Sequence, residues 1–367
     1  MTKRVLIALL VIGTVGLLGL LGCATVASTN SNTQVKLAAS NVTISGTTMT
    51  FALTALNQDN NVISGLRSGN FSAVVYTSEA DASNEVNAVA TLAFNSVSGG
   101  SGSTKNIAVA LVIDKSGSMD GAKEGSAEIA ARLFVSQEAV ASTSNKAACV
   151  LFSLSDNSVS VEAPMTQLLS SVEVGRLNTA INKRTGYGYD TALFDAIKAG
   201  VREASKEAAS STLTRAVIAL TDGGENASTS HSTVEVVNYA IAAGIPVYTV
   251  GLFTSTAEAE TANSYTGGTY RSDLQYIAKS TTGSIDNYFE IIVGSTAFSA
   301  QADVQTVKIL GALTDLYQKL AIALTNSYTV STTLSTSLSA RTYYCKMKLV
   351  DYSSFTGQTL TFAFTAQ

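Results

Sequence analysis

In the stretch LVIDKSGSMDG, residues 111–121, an apolar run stops at Asp114 and is followed by hydroxyls at alternate positions, Ser116 and Ser118. A second apolar run stops at Asp222 in ALTDGGEN, residues 219–226, just before a Gly-Gly turn. A third stretch, GYGYDTALFDAI at 186–197, carries Thr191 where a helical stripe begins. All five side chains offer oxygen, and none offers nitrogen or sulfur. Hard oxygen donors suit Mg²⁺, Mn²⁺ or Ca²⁺, and an octahedral set rich in neutral hydroxyls favours Mg²⁺ or Mn²⁺. Open α/β sheets bind ligands beyond the carboxyl ends of their strands, which is where Asp114 and Asp222 fall if the apolar runs are strands.

Other chemistries have little to work with. The chain has one histidine, His231, and three cysteines far apart, so it lacks the donors for a zinc site of His and Cys. A Ser-His-Asp hydrolase would depend on His231, which falls on the loop before an expected helix at Val234–Ile241. Only carboxylates accompany Ser116 and Ser118, so we expect no enzyme. A net charge of −4 argues against a nucleic-acid partner, which calls for a basic domain or stripe.

The elements that must position these oxygens follow from periodicity. Ile107–Ile113 is apolar throughout, as a strand covered on both faces would be. Further strands are expected at Ala148–Leu154, Ala216–Leu220, Val247–Leu252 and Tyr288–Val293. Helical stripes alternate with them: Ala122, Ser126, Ile129, Leu133, Gln137 and Val140, then Leu193 to Ala204, and lastly Val304 to Leu324. Strand–helix alternation implies a doubly wound, mostly parallel sheet flanked by helices.

Both flanks of this α/β unit have period two instead. Met49, Phe51 and Leu53 alternate with small or polar residues, as do Phe71 to Val75 and Val86 to Phe94. The pattern returns at Tyr328–Leu334, Tyr343–Leu349 and Leu360–Phe364. Neither flank is large enough to form a core alone. Together they amount to about seven strands, the count of an immunoglobulin-like sandwich, into which the α/β unit would be inserted. Cys149 and Cys345 fall in the two different cores, so no disulfide between them is expected.

The segments DKSGS, the helix opening T-x-L-x-x-A-I and TDG resemble, in order, a von Willebrand factor type A (vWA) domain with its metal-ion-dependent adhesion site. The resemblance runs from Asn106 to Leu324. It implies a Rossmann-like fold in which Ser116, Ser118 and Thr191 bind metal through hydroxyls, while Asp114 and Asp222 hold it directly or through water. The open metal position would then take a Glu or Asp carboxylate from a protein partner. One departure is that Tyr189 and Asp190 precede Thr191 where the family often has Gly-Gly. Tyr187 and Tyr189 would line the rim of the site and select partners. Asp190 either adds charge to that rim, favouring Ca²⁺ or a basic partner, or caps the helix, which is the reading we favour. Glu225 is expected either as a further rim charge or as a simply solvated side chain. In an alternative reading the metal only stiffens loops, and the chain is a scaffold or assembly factor of an envelope complex.

The start of the chain has its own pattern. Lys3 and Arg4 precede an apolar stretch ending Leu20-Leu21-Gly22-Cys23, which resembles the lipobox of a bacterial lipoprotein signal peptide. That resemblance implies cleavage after residue 22, lipid on Cys23 and attachment to a membrane of the bacterial envelope, facing the periplasm or exterior. The expected organisation is a signal peptide at 1–22, a flexible tether at 23–35, sandwich strands at 36–100, the vWA unit at 104–325 and the remaining strands at 326–367.

Overall fold

A computed structural model describes residues 35–57, 62–100, 105–153, 159–183, 190–210, 212–229, 232–282, 287–292, 302–352 and 358–366. The expected signal peptide, Cys23 and most of the tether lie outside the described residues. The first elements are β1 (Val35–Ser45), β2 (Thr48–Asn57), β3 (Phe71–Tyr76), α1 (Glu79–Asn84) and β4 (Ala90–Gly99). The middle of the chain gives β5 (Asn106–Asp114), α2 (Ala122–Ala141), β6 (Lys146–Phe152), β7 (Val159–Gln167), α3 (Ser171–Ile181) and α4 (Leu193–Ser205). Next come β8 (Leu213–Thr221), α5 (Thr233–Ala243), β9 (Val247–Phe253), α6 (Thr256–Ala259), α7 (Tyr270–Thr282), β10 (Tyr288–Ile292) and α8 (Ala302–Thr325). The last are β11 (Tyr328–Leu334), β12 (Thr342–Leu349) and β13 (Thr359–Thr365).

The α/β unit has a six-stranded sheet in the order β10-β9-β8-β5-β6-β7, parallel except for β7. Alternate residues of β5 feed two cores, because successive side chains of a strand point to opposite faces. Ile107, Val109, Leu111 and Ile113 pack with buried residues of α2, α3 and α8, while Ala110 and Val112 pack with α4, α5 and α7. The chain runs outward from β5 to β6 and β7, then crosses back to place β8 on the other side of β5. The carboxyl ends of β5 and β8 therefore flank the point where strand order reverses, where such sheets form a crevice.

The period-two flanks form a separate antiparallel sheet of seven strands, in the order β1-β2-β11-β4-β3-β12-β13. It has the character of a β-sandwich, folding over so that the Phe51 ring of β2 meets Phe362 of β13 at 5.2 Å. The C-terminal strand β11 lies between the N-terminal strands β2 and β4.

Local chemistry moved some elements from their expected places. The run expected from Val86 begins only at Ala90, because α1 intervenes and the backbone is left-handed at Glu85 (φ 57°) and Asn87 (φ 55°). The stripe expected on α2 is displaced by about one residue. Ala127, Ala130, Ala131, Phe134 and Val135 are buried, whereas Leu133 is 41% exposed. An alanine-rich helix carries too little contrast between faces for periodicity to find the buried one. Strand β7, an antiparallel edge, was not expected at all. Cys149 and Cys345 are free and buried in separate cores.

Candidate metal centre

Asp114 is the last residue of β5 and is fully buried. Beyond it the chain turns through a short 3₁₀ segment, Gly117–Met119, into α2. Extended backbone at Ser116 (φ −66°, ψ 162°) continues the alternation, so Lys115 points away from Asp114 and Ser116. The Lys115 ammonium is buried between Glu124 at 3.0 Å and Glu128 at 2.5 Å, which ties the loop to α2. The backbone N–H of Ser116 donates to Asp114 Oδ1 at 2.8 Å.

Asp222 follows β8 directly and is 1% exposed. Ser118 Oγ donates to Asp222 Oδ1 at 2.7 Å, and the Ser116 and Ser118 hydroxyls are 3.1 Å apart. Thr191 is also buried and lies beside the same turn, since a Cβ added to Gly223 would come within 3.4 Å of Thr191 Oγ1. The five oxygen-bearing residues named from the sequence thus converge at the strand-order reversal. The Gly-Gly turn is needed for close approach: a Cβ on Gly224 would lie 1.9 Å from the Tyr270 ring.

Three supporting groups were missed from sequence. Thr221 Oγ1 donates to Asp114 Oδ2 at 2.6 Å and so orients that carboxylate. Asn226 accepts from the Thr191 N–H at 2.5 Å and donates its own N–H to the Thr191 carbonyl at 3.0 Å, clamping that segment in place. Lys123 places its ammonium 2.5 Å from Asp222 Oδ2 and 3.9 Å from Glu258. The Thr of TDG and the Asn four residues after Asp222 were visible as residue types, but only the fold shows what they touch.

The structure corrects two of the expected roles. Glu225 is not a rim charge: it is 2% exposed and fully engaged at the start of α4. Its carboxylate accepts from the N–H groups of Phe194, Ala227 and Ser228 and from the Ser228 hydroxyl, at 2.6–2.8 Å. Glu225 thereby satisfies a helix-end donor that lacks an intrahelical partner. Asp190 does not cap the helix either, because α4 begins at Leu193 and its N-cap is Ala192. Asp190 is half-buried near the site, while Tyr187, Tyr189 and His231 lie outside the described residues.

The electrostatics favour a cation. Burial pushes the carboxyls of Asp114 and Asp222 above the usual carboxylate range, and their mutual repulsion raises Asp114 further. Lys123 pulls in the opposite direction at Asp222. Two buried carboxylates facing one ammonium leave the cluster short of positive charge when both are ionised. Its three hydroxyls are neutral oxygen donors, so the residues present fit a hard divalent cation.

The family model described as "von Willebrand factor type A domain" matches residues 108–300. No curated protein matches the chain. Among solved structures, proximal thread matrix protein 1 from the mussel byssus is 14% identical, with a TM-score of 0.41 over 60% of this chain and 49% of that one. The pilus adhesin SpaC from Lactobacillus rhamnosus GG is 11% identical, with a TM-score of 0.41 over 92% of this chain and 48% of that one. An aerotolerance-related membrane protein from Bacteroides fragilis is 16% identical, with a TM-score of 0.34 over 57% of this chain and 99% of that one. The chain thus spans about half the length of the first two structures.

Proposed function

The chain belongs to the von Willebrand factor type A domain family, and on that premise we propose that it is a lipid-anchored envelope protein that captures a protein partner through one divalent cation. The observation that carries this reading is the convergence of Asp114, Ser116, Ser118 and Asp222, with Thr191 alongside, at the carboxyl ends of β5 and β8. The bound cation, Mg²⁺ or Mn²⁺ before Ca²⁺, would supply an electrophilic centre able to accept a Glu or Asp carboxylate.

This chain's residues prepare that centre. Asp114 and Asp222 supply the charge, and Thr221 and the Ser116 N–H hold the Asp114 carboxylate in one orientation. Ser116, Ser118 and Thr191 contribute oxygen without adding negative charge, so the two carboxylates at most neutralise a divalent cation and leave no excess negative charge to repel an incoming carboxylate. Burial lowers the local dielectric and strengthens attraction to an incoming carboxylate. Asp190, with Tyr187 and Tyr189, would face the partner. The immunoglobulin-like sandwich at 36–100 and 326–367 would mount the vWA unit at 104–325.

Cys23 would carry the lipid, checked by the mass of the mature chain extracted from membranes. Among the described residues no helix is long and apolar enough to cross a membrane. Capture from envelope extract tests the function. A partner should be retained with Mg²⁺ and lost with EDTA, and it should not be retained by Asp222→Ala. Retention that ignores both EDTA and that substitution would instead support a scaffold whose cation only stiffens loops.

A further inference from the structure

At the opposite end of β5 from Asp114 lies a second polar site. Strand rise places it roughly 30 Å from the oxygen cluster. A cavity of about 210 Å³ opens between the antiparallel sheet and the α/β unit, with Asn41, Thr43, Thr50, Lys105, Ser210 and Thr329 in its lining. Lys105, the residue before β5, is the charged side chain of that lining and is only 7% exposed. Among the described residues its ammonium has no hydrogen-bond or ion-pair partner, although its backbone N–H donates to the Thr325 carbonyl at 2.8 Å. The other polar groups are hydroxyls and one carboxamide, all neutral.

The positive charge there is not confined to Lys105. Arg215, also 7% exposed, donates to the Glu207 carbonyl at 3.1 Å, the Ala243 carbonyl at 3.3 Å and Asn41 Oδ1 at 3.4 Å. None of these acceptors is a carboxylate. Asn41 reaches Arg215 from a left-handed backbone position (φ 53°) at an irregularity in β1, a conformation Asn tolerates better than most residues. Among the described residues, these two buried cations at the junction have no bonded carboxylate, an arrangement that costs folding free energy unless an anion joins it.

We propose that this cavity binds the oxyanion of a small molecule, a carboxylate or phosphate group on a body about the size of a monosaccharide, with Lys105 as counter-charge and the Thr and Ser hydroxyls as its hydrogen-bonding wall. Lysine binds such groups as a point charge, which does not require the bidentate geometry of arginine. The volume is below the roughly 300 Å³ at which drug-sized pockets begin, so the ligand is small. Burial holds the Lys105 amine down to about 8, and an anion would relieve that desolvation. This site does not depend on the metal reading.

Thermal melts of metal-stripped protein test the proposal, with sodium phosphate, sodium glucuronate and neutral glucose as probes. Phosphate or glucuronate should raise the melting temperature of wild type and of Asp222→Ala alike, and glucose should not. The anion giving the larger shift identifies the phosphate or the carboxylate class. Lys105→Met should weaken anion binding by about tenfold or more, yet melt above wild type in anion-free buffer because it removes an unpaired buried charge. Thr50→Val, which alters the wall without touching the charge, should weaken binding a few-fold and serves if Lys105→Met does not fold. General stabilisation by excluded salts acts on every variant equally. The proposal is overturned if neither anion shifts wild type, or if the shift persists undiminished in Lys105→Met or, should that variant not fold, in Thr50→Val.

Discussion

At Asp222 the negative charge is met by Lys123, whose ammonium lies 2.5 Å from Oδ2, on the carboxylate that would also hold a divalent cation. Tethered ammonium and free cation therefore compete for one oxygen. Lys123→Met should tighten Mg²⁺ binding by about tenfold, since removing a competing ion pair of ~1.4 kcal/mol changes an equilibrium by that factor. The same change leaves Asp222 buried without its ion-pair partner, so the metal-free variant should lose about 1–3 kcal/mol of stability. Mg²⁺ should restore that loss through its preference for the folded state. Melts with and without Mg²⁺ check both effects, and a variant that binds Mg²⁺ more weakly than wild type would contradict the competition. The five oxygen-bearing residues were legible in the sequence because Asp114 and Asp222 close apolar runs, Ser116 and Ser118 follow at alternate positions, and Thr191 precedes a helical stripe. Lys123 and Thr221 were not, because a lysine in the first turn of a helix and a threonine ending a strand look alike whether or not they touch the site.

The crevice depends on how α4 is joined to the loop after β8. Glu225 connects them, accepting from Phe194 at the helix start and from Ala227 and Ser228 in its own loop. Glu225→Gln replaces one accepting oxygen with an amide that can only donate, leaving at least one buried N–H without an acceptor. We expect a loss of about 2–3 kcal/mol in urea unfolding, with weaker metal binding as Thr191 is displaced. A change within ~0.5 kcal/mol, the range of ordinary surface substitutions, would show that Glu225 is not structural. The sequence alone points Glu225 toward the rim, since glutamates are seldom fully buried unless paired. The one helix N–H that pairs with it, that of Phe194, belongs to a segment 31 residues away. The strands were easier to read: β5 was expected at Ile107–Ile113 and spans Asn106–Asp114, because an unbroken apolar run between polar turns leaves few alternatives. Alanine-rich α2 offered no such contrast, and its buried face was displaced for that reason.

For the molecule as a whole, the antiparallel sheet closes the chain's two ends into one layer. Strand β11 pairs with β2 on one side and β4 on the other, so β12 and β13 are not the only C-terminal contribution. Deleting residues 328–367 removes the centre of that sheet as well as one edge. Hydrogen exchange should then show loss of protection across β1–β4, while β5, β6, β8 and β9, buried in their own cores, stay protected. Unchanged protection of β1–β4 would contradict the shared sheet. The pairing of flanks was legible through physical necessity: neither set of strands buries enough apolar area to offset the entropy of ordering it. What sequence could not supply was the strand order, which depends on long-range pairing and leaves no periodic signal.

The central claim, that one divalent cation is shared by Asp114, Ser116, Ser118, Thr191 and Asp222, is most directly tested by titration calorimetry of Mg²⁺ and Mn²⁺ into metal-stripped wild type and Asp222→Ala. Wild type should show one site per chain. Asp222→Ala should show no measurable binding, and its circular dichroism should stay native because the residue lies at the sheet edge and not within either core. Equal affinity in the two proteins would contradict the account. So would the absence of binding to either ion by wild type, even with acetate present to fill the open position.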